Sequence, residues 1–307
     1  MNPLENKKFK SLVSILKWAI LGGVLYLVLS ALITNLEQIS WSEIHPAYGL
    51  IALAMAVEVL ARACLGSGFK MAAALFSVPL SSPRSLAIAW LSQLGKYLPG
   101  KVALILGSFY LLKKQTRTHT AGWISVLVNF SIPFAALLLS LPLFLDERMP
   151  RPEPTILPWF IPGMIILALL LYFLLPGFVK RLGDVPRISN MKYLVGLLFY
   201  ACLQCILVGL SAWLVSRAIA PIGMEWLPWM VVYTSGAGLM GIVAVFSPAG
   251  IGVRDGLLFW ITSQIMGGPT AALMVTLLRV IQTLADLICA VAGYLMLKFS
   301  TPKKTDP

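Results

Sequence analysis

The sequence predicts an all-α polytopic membrane protein with about six full transmembrane helices and two re-entrant helical hairpins, arranged as an inverted-topology repeat. Three observations lead there. Of 307 residues, 59% are hydrophobic and 12% charged, with a mean hydropathy of +0.86, whereas soluble domains are about 45–50% apolar and about 25% charged. Apolar windows of roughly twenty residues, the length a helix needs to cross a bilayer, recur along the whole chain. Two further apolar regions are broken by Pro and Gly at corresponding places, Pro99 and Pro248, 149 residues apart and close to half the chain. Eight simple crossings, with 226–246 and 250–267 each spanning, satisfy the same parity and are the alternative.

In chain order, Lys7, Lys8, Lys10 and Lys17 flank a first apolar run at 12–34. It carries no small-residue cleavage site and is read as an uncleaved span. Full spans follow at 47–66, 120–142, 157–176, 193–215 and 270–297. Region 85–112 begins and ends beside basic residues, so it is not one crossing, and its centre GKYLPGK breaks a helix where a hairpin would turn. Region 226–267 has the same form around FSPAGIGVRDG. The single integral domain, 1–307, thus divides into a first half, 12–142, with hairpin 85–112, and a second, 157–297, with hairpin 226–267. Basic residues gather at 7–17, 70–117, 180–192 and 298–304, while 35–46 has only Glu37, Glu43 and His45. The positive-inside rule puts both termini in the cytoplasm. The net charge of +12 is scattered in such groups, which favours anionic lipid over nucleic acid as partner.

Backbone freed from helical hydrogen bonds survives at membrane depth only when buried in protein or lining a wet cavity. Gly95, Pro99 and Gly100, then Pro248, Gly250, Gly252 and Gly256, therefore predict a cavity near the midplane where the two hairpins meet. Gln93, Lys96, Tyr97 and Lys101 surround the first break; Ser247, Arg254 and Asp255 surround the second. Lys96 and Arg254, with half-helix N-termini, would make a phosphate site. Interface loops whose Lys and Arg snorkel to headgroups are the plainer reading. Charges inside spans are costly and by default functional. Glu58 and Arg62, four apart, share a helix face and can neutralise each other; Arg279, Gln282 and Asp286 share another.

Cys64, Cys202, Cys205 and Cys289 all lie in apolar stretches, where a thiol behaves as a small hydrophobe. Neither the Cys202/Cys205 spacing nor His45 and His119 point to a metal site, and no cofactor is expected. GAGLMG at 236–241 follows no strand, so its small residues are read as close helix packing rather than nucleotide binding. Trp18, Trp41, Trp159, Trp226 and Trp229 fall at span ends as an aromatic belt, while Trp90, Trp123, Trp213 and Trp260 do not. With no G-x-x-x-x-G-K-[ST], H-E-x-x-H or G-x-S-x-G, ATP-driven pumping and common hydrolysis lack their machinery.

At GKYLPGK (95–101) and SPAGIGVRDG (247–256) the sequence resembles the flippase-like transmembrane domain of lysylphosphatidylglycerol synthases, which also occurs as stand-alone bacterial and archaeal proteins. The resemblance covers nearly the whole chain and implies a prokaryotic cytoplasmic membrane protein that moves a lipid between leaflets. Without the soluble aminoacyltransferase domain it implies no lysylphosphatidylglycerol synthesis. Asp255 stands where Glu is commoner in the family, a shorter acid.

The expectation is a lipid flippase taking an anionic phospholipid or polyprenyl-phosphate-linked headgroup through a midplane cavity, as a possible homo-oligomer. Two rivals stand beside it: a membrane-embedded transferase on a lipid-phosphate donor, with Asp255 or Glu58 as base, and a non-catalytic partner of an envelope synthase.

Overall fold

The computed structural model describes residues 46–97, 102–141, 186–243 and 252–300, and every regular element among them is helical. We number them α1 (Tyr48–Leu75), α2 (Ser82–Gln93), α3 (Val102–Leu112), α4 (Thr118–Ser140), α5 (Lys192–Ile219), α6 (Leu227–Val243), α7 (Val253–Met266) and α8 (Gly268–Ser300), with 3-10 turns at Leu94–Tyr97 and Met224–Trp226. Four of these, α1, α4, α5 and α8, are long and apolar enough to cross a membrane. They overlap the apolar windows 47–66, 120–142, 193–215 and 270–297, and α1 runs nine residues past the first of these, taking Lys70 into its last turns. The spans expected at 12–34 and 157–176 lie outside the described residues.

Side chains are distributed as lipid requires. Small residues such as Ala54, Ala61, Ala72, Ala87, Ala212 and Ala285 are fully buried between helices, while Leu60, Phe199, Leu287 and Val291 are about half exposed or more on the outside. In a bilayer, close backbone approach through small residues drives helix association, since large apolar groups gain nothing by leaving the lipid.

The central contact is between α1 and α5, each 28 residues. Ala47 N–H donates to Ala218 O at 2.9 Å and Ser189 N–H to Leu75 O at 2.8 Å, so the two helices run antiparallel along their whole length. The other helices pack in matching pairs. α2 lies on α1 and α8, and α6 lies on α5 and α4; α3 joins α2 to α4, and α7 joins α6 to α8.

Region 85–112 contains two short helices, α2 and α3. α2 starts with Ser82 Oγ accepting from Lys70 Nζ at 2.8 Å, and Trp90 Nε1 further along donates to Arg62 O at 3.1 Å, so α2 runs back along α1. α3 returns antiparallel, with Gly107 against Ser92 and Arg84 bonded to Gln115 at 3.0 Å. Gly95 is required here, because a Cβ would stand 2.6 Å from the backbone of Ala103 and Leu104. Region 226–267 also divides, into α6 and α7. Gly252 (φ 94°) opens α7 and Gly267 (φ 80°) turns it directly into α8, both in backbone territory that favours glycine.

The ends of the bundle differ in charge. Lys70, Arg84, Lys113, Lys114, Arg117, Arg187, Lys192 and Lys298 cluster where α1, α3 and α8 end and α2, α4 and α5 begin. The four described carboxylates, Glu58, Glu225, Asp255 and Asp286, lie elsewhere.

Candidate functional site

The site begins with Arg62, fourteen residues after the start of α1 and thirteen before its end, roughly 20 Å from either. A charge at that depth needs partners. Glu58, one turn earlier, takes Arg62 NH1 on Oε2 at 2.7 Å, the pairing that the i, i+4 spacing predicts. Arg62 Nε reaches Asp286 Oδ1 on α8, also at 2.7 Å. Asp286 Oδ2 accepts from Lys96 Nζ at 2.5 Å and from Tyr97 Oη at 2.6 Å. Gln282 Nε2 completes the network by donating to Glu58 Oε1 at 3.0 Å. Glu58 is fully buried, and Asp286 is 2% exposed. One connected network thus ties α1, the 3-10 turn after α2, and α8, with each carboxylate oxygen holding a donor.

A cavity of about 150 Å3 opens beside this network, room for several waters or a small polar group. Arg62, Gln93 and Lys96 line it from one side of the fold and Arg254 at the start of α7 from another; Gln204, Thr234 and Ser235 supply further polar surface. Three of the lining side chains are cations, and none is a carboxylate. Gln204 Oε1, Ser235 Oγ and Arg254 Nε are buried without a hydrogen-bond partner. Buried polar atoms are almost always satisfied by protein, ordered water or a bound group, so three such atoms on one cavity are open to water or a polar ligand. Arg254 Nε and Ser235 Oγ can donate to the oxygens of an anion, whereas Gln204 Oε1 accepts and needs a donor such as a hydroxyl. Arg62 and Lys96 are balanced by Glu58 and Asp286, so the anion's charge would fall to Arg254.

The structure brings Gln93, Lys96 and Arg254 to this cavity and places Tyr97 behind it on Asp286. Asp255 stands apart, accepting from Arg279 NH2 at 2.8 Å and Nε at 3.2 Å. Arg279 therefore turns toward α7, while Gln282 and Asp286 on the same helix face join the central network. Pro99, Lys101, Ser247 and Pro248 lie outside the described residues. Gly238 corrects the packing expectation for GAGLMG: it faces the cavity, with nothing within 4 Å of where a Cβ would stand. Its neighbours Ala237 and Leu239 are buried in the helix interface as expected.

Gln204 joins the cavity although the breaks at 95–101 and 247–256 do not point to it; its signal is a lone amide in the apolar run LLFYACLQCILVGL, where a polar group inside a span is itself a functional sign. Thr234 and Ser235 gave no such signal, because hydroxyls in apolar helices usually bond back to their own turn, as Thr234 also does to Met230 O at 2.7 Å. Two unplaced tryptophans gain partners: Trp90 on Arg62 O, and Trp213, whose Nε1 donates to Gly223 O at 2.9 Å. Among the described residues no group of His, Cys, Asp and Glu is arranged to hold a metal, and the four cysteines are free.

Fold and site together define a helical membrane protein with a cationic cavity inside its bundle. No family model matches the chain, and no curated protein matches it.

Proposed function

We propose that the protein is a lipid flippase, in which an anionic phospholipid or polyprenyl-phosphate-linked headgroup passes between leaflets through the central cavity. The observation that carries this reading is the lining: Arg62, Lys96 and Arg254 without a carboxylate, and unpartnered polar atoms on Gln204, Ser235 and Arg254. Phosphate oxygens would accept from Arg254 Nε and Ser235 Oγ, and a headgroup hydroxyl would donate to Gln204 Oε1. The antiparallel α1/α5 pair and the matched packing of α2 with α8 and α6 with α4 support two re-entrant hairpins in an inverted repeat, the architecture that permits alternating access around a fixed midplane site. The basic end of the bundle would face the cytoplasm. The resemblance to the lysylphosphatidylglycerol synthase flippase domain points the same way.

The transferase rival has less in its favour. Of its candidate bases, Glu58 is held by Arg62 and Gln282, and Asp255 by Arg279.

Reconstituted protein should move fluorescent phosphatidylglycerol across proteoliposomes, and Lys96→Ala combined with Arg254→Ala should abolish the movement. Folding should survive, because Asp286 keeps Arg62 and Tyr97. Wild-type transport by the folded double variant would refute the site.

A further inference from the structure

A second cavity, about 160 Å3, opens at the basic end of the bundle, between the start of α2, the end of α3 and the end of α8. Its lining divides by chemistry into Arg84, Lys114 and Gln115, which are polar, and Ile88, Leu111 and Leu297, which are aliphatic. Arg84 is half-buried, and its NH1 is fixed to Gln115 Oε1 at 3.0 Å. Lys114 is exposed, with its ammonium 5.1 Å from the Tyr110 ring centre, beside Lys113 at 4.6 Å from the same ring. Six more basic groups stand at this end, and none of the four described carboxylates does, so the described residues here carry net positive charge, which suits a lipid phosphate. Elsewhere on α8, Val291, Tyr294, Leu295 and Phe299 are each 43% exposed or more.

Basic groups above an aliphatic wall match one ligand class, a molecule with a phosphate at one end and an alkyl chain at the other. Free phosphate would meet Arg84 and Lys114 but leave Ile88, Leu111 and Leu297 uncovered. We infer that this cavity binds an anionic phospholipid as a resident ligand, separate from any transported one. Its phosphate lies between Arg84 and Lys114, and one acyl chain runs over Ile88, Leu111 and Leu297. Because α2 carries Arg84 at its start and leads to Lys96 at its far end, the bound lipid clamps the base of the α2/α3 hairpin. The inference does not depend on the transport reading.

The test uses the purified full chain, stripped of lipid in mild detergent, then titrated with phosphatidylglycerol, phosphatidylcholine or inorganic phosphate. Native mass spectrometry reads the bound lipid, and the melting midpoint reads its effect. Phosphatidylglycerol should bind and raise the midpoint, while phosphatidylcholine and phosphate should do neither. Arg84→Gln with Lys114→Gln should weaken phosphatidylglycerol binding about thirtyfold. Arg187→Gln with Lys192→Gln, at the same end but outside the cavity, should leave it unchanged. All variants are compared in an Arg254→Ala background, so that lipid held at the central cavity does not count. If the cavity double variant fails to fold, exposed Lys114→Gln by itself should weaken binding about fivefold. Equal binding of phosphatidylcholine, or an equal midpoint rise with inorganic phosphate, would overturn the lipid assignment. An equal loss in the Arg187/Lys192 variant would show diffuse attraction to the charged end, and no phosphatidylglycerol binding at all in the Arg254→Ala background would assign all the lipid to the central cavity; either result removes the site.

Discussion

Replacing Asp286 with Leu should be among the most destabilising single changes in the described bundle. Asp286 balances two cations, Arg62 at 2.7 Å and Lys96 at 2.5 Å, and is 2% exposed. Arg62 would keep Glu58 Oε2 at 2.7 Å, whereas Lys96 has no other carboxylate among its described ion pairs. The cost is therefore mainly a stranded ammonium. Removing one partner of a buried pair costs about 3–5 kcal/mol, and because the Lys96 side chain is 21% exposed toward the cavity, water lowers the figure to about 3 kcal/mol. Lys96→Met removes one charge-assisted hydrogen bond from a carboxylate that Arg62 and Tyr97 still hold, about 1.5–3 kcal/mol. Combining the two removes the stranded charge, so Lys96→Met/Asp286→Leu should be more stable than Asp286→Leu, with a coupling of about 2 kcal/mol or more. Chemical unfolding in mixed micelles, followed by tryptophan fluorescence, measures all three variants; Trp90, bonded to Arg62 O, reports from the network itself. If the double variant equals the sum of the singles within about 0.5 kcal/mol, Lys96 and Asp286 are not coupled and the electrostatic account of this site fails.

Glycines on the same bundle should respond oppositely to one added methyl. Gly209→Ala drives a Cβ into Val231 Cα on α6, and Gly66→Ala puts one 2.9 Å from Leu86 Cα on α2, so each should lower stability by about 1–3 kcal/mol, while Gly238→Ala, with open space before it, should unfold like wild type; a tolerated Gly209→Ala would mean that α5 and α6 are less tightly packed. Depth can be tested at the second break with Ala249→Cys in a background lacking the four native cysteines. Arg254 lines the cavity beside Arg62 at mid-helix, so a small thiol reagent should label position 249 and a bulky, membrane-impermeant one should react slowly from the cytoplasmic side; rapid bulky labelling would favour eight simple spans and defeat the re-entrant reading.

Composition and periodicity by themselves determined the solvent, the secondary structure and the local pairs of this protein. Lipid demands long apolar helices with satisfied backbones, so α1, α4, α5 and α8 were legible as windows, and breaks at Gly95 and Gly252 were legible because glycine and proline interrupt helices in any context. The Glu58/Arg62 bridge follows from helical spacing. What tertiary structure decided is who meets whom across the bundle. Nothing in the pattern around Asp286 distinguishes Lys96, 190 positions away, from Arg279 on its own helix, yet packing α8 against α2 gives Asp286 to Lys96, and the short turn at Gly267 gives Arg279 to Asp255. The cavity is equally a product of assembly, since Gln204, Ser235 and Arg254 line it from three helices. Local sequence reports turns of helix and the solvent around them; charge partners and empty space depend on interhelical distances, which arise only when small residues such as Gly66 and Gly209 let particular helices close on one another.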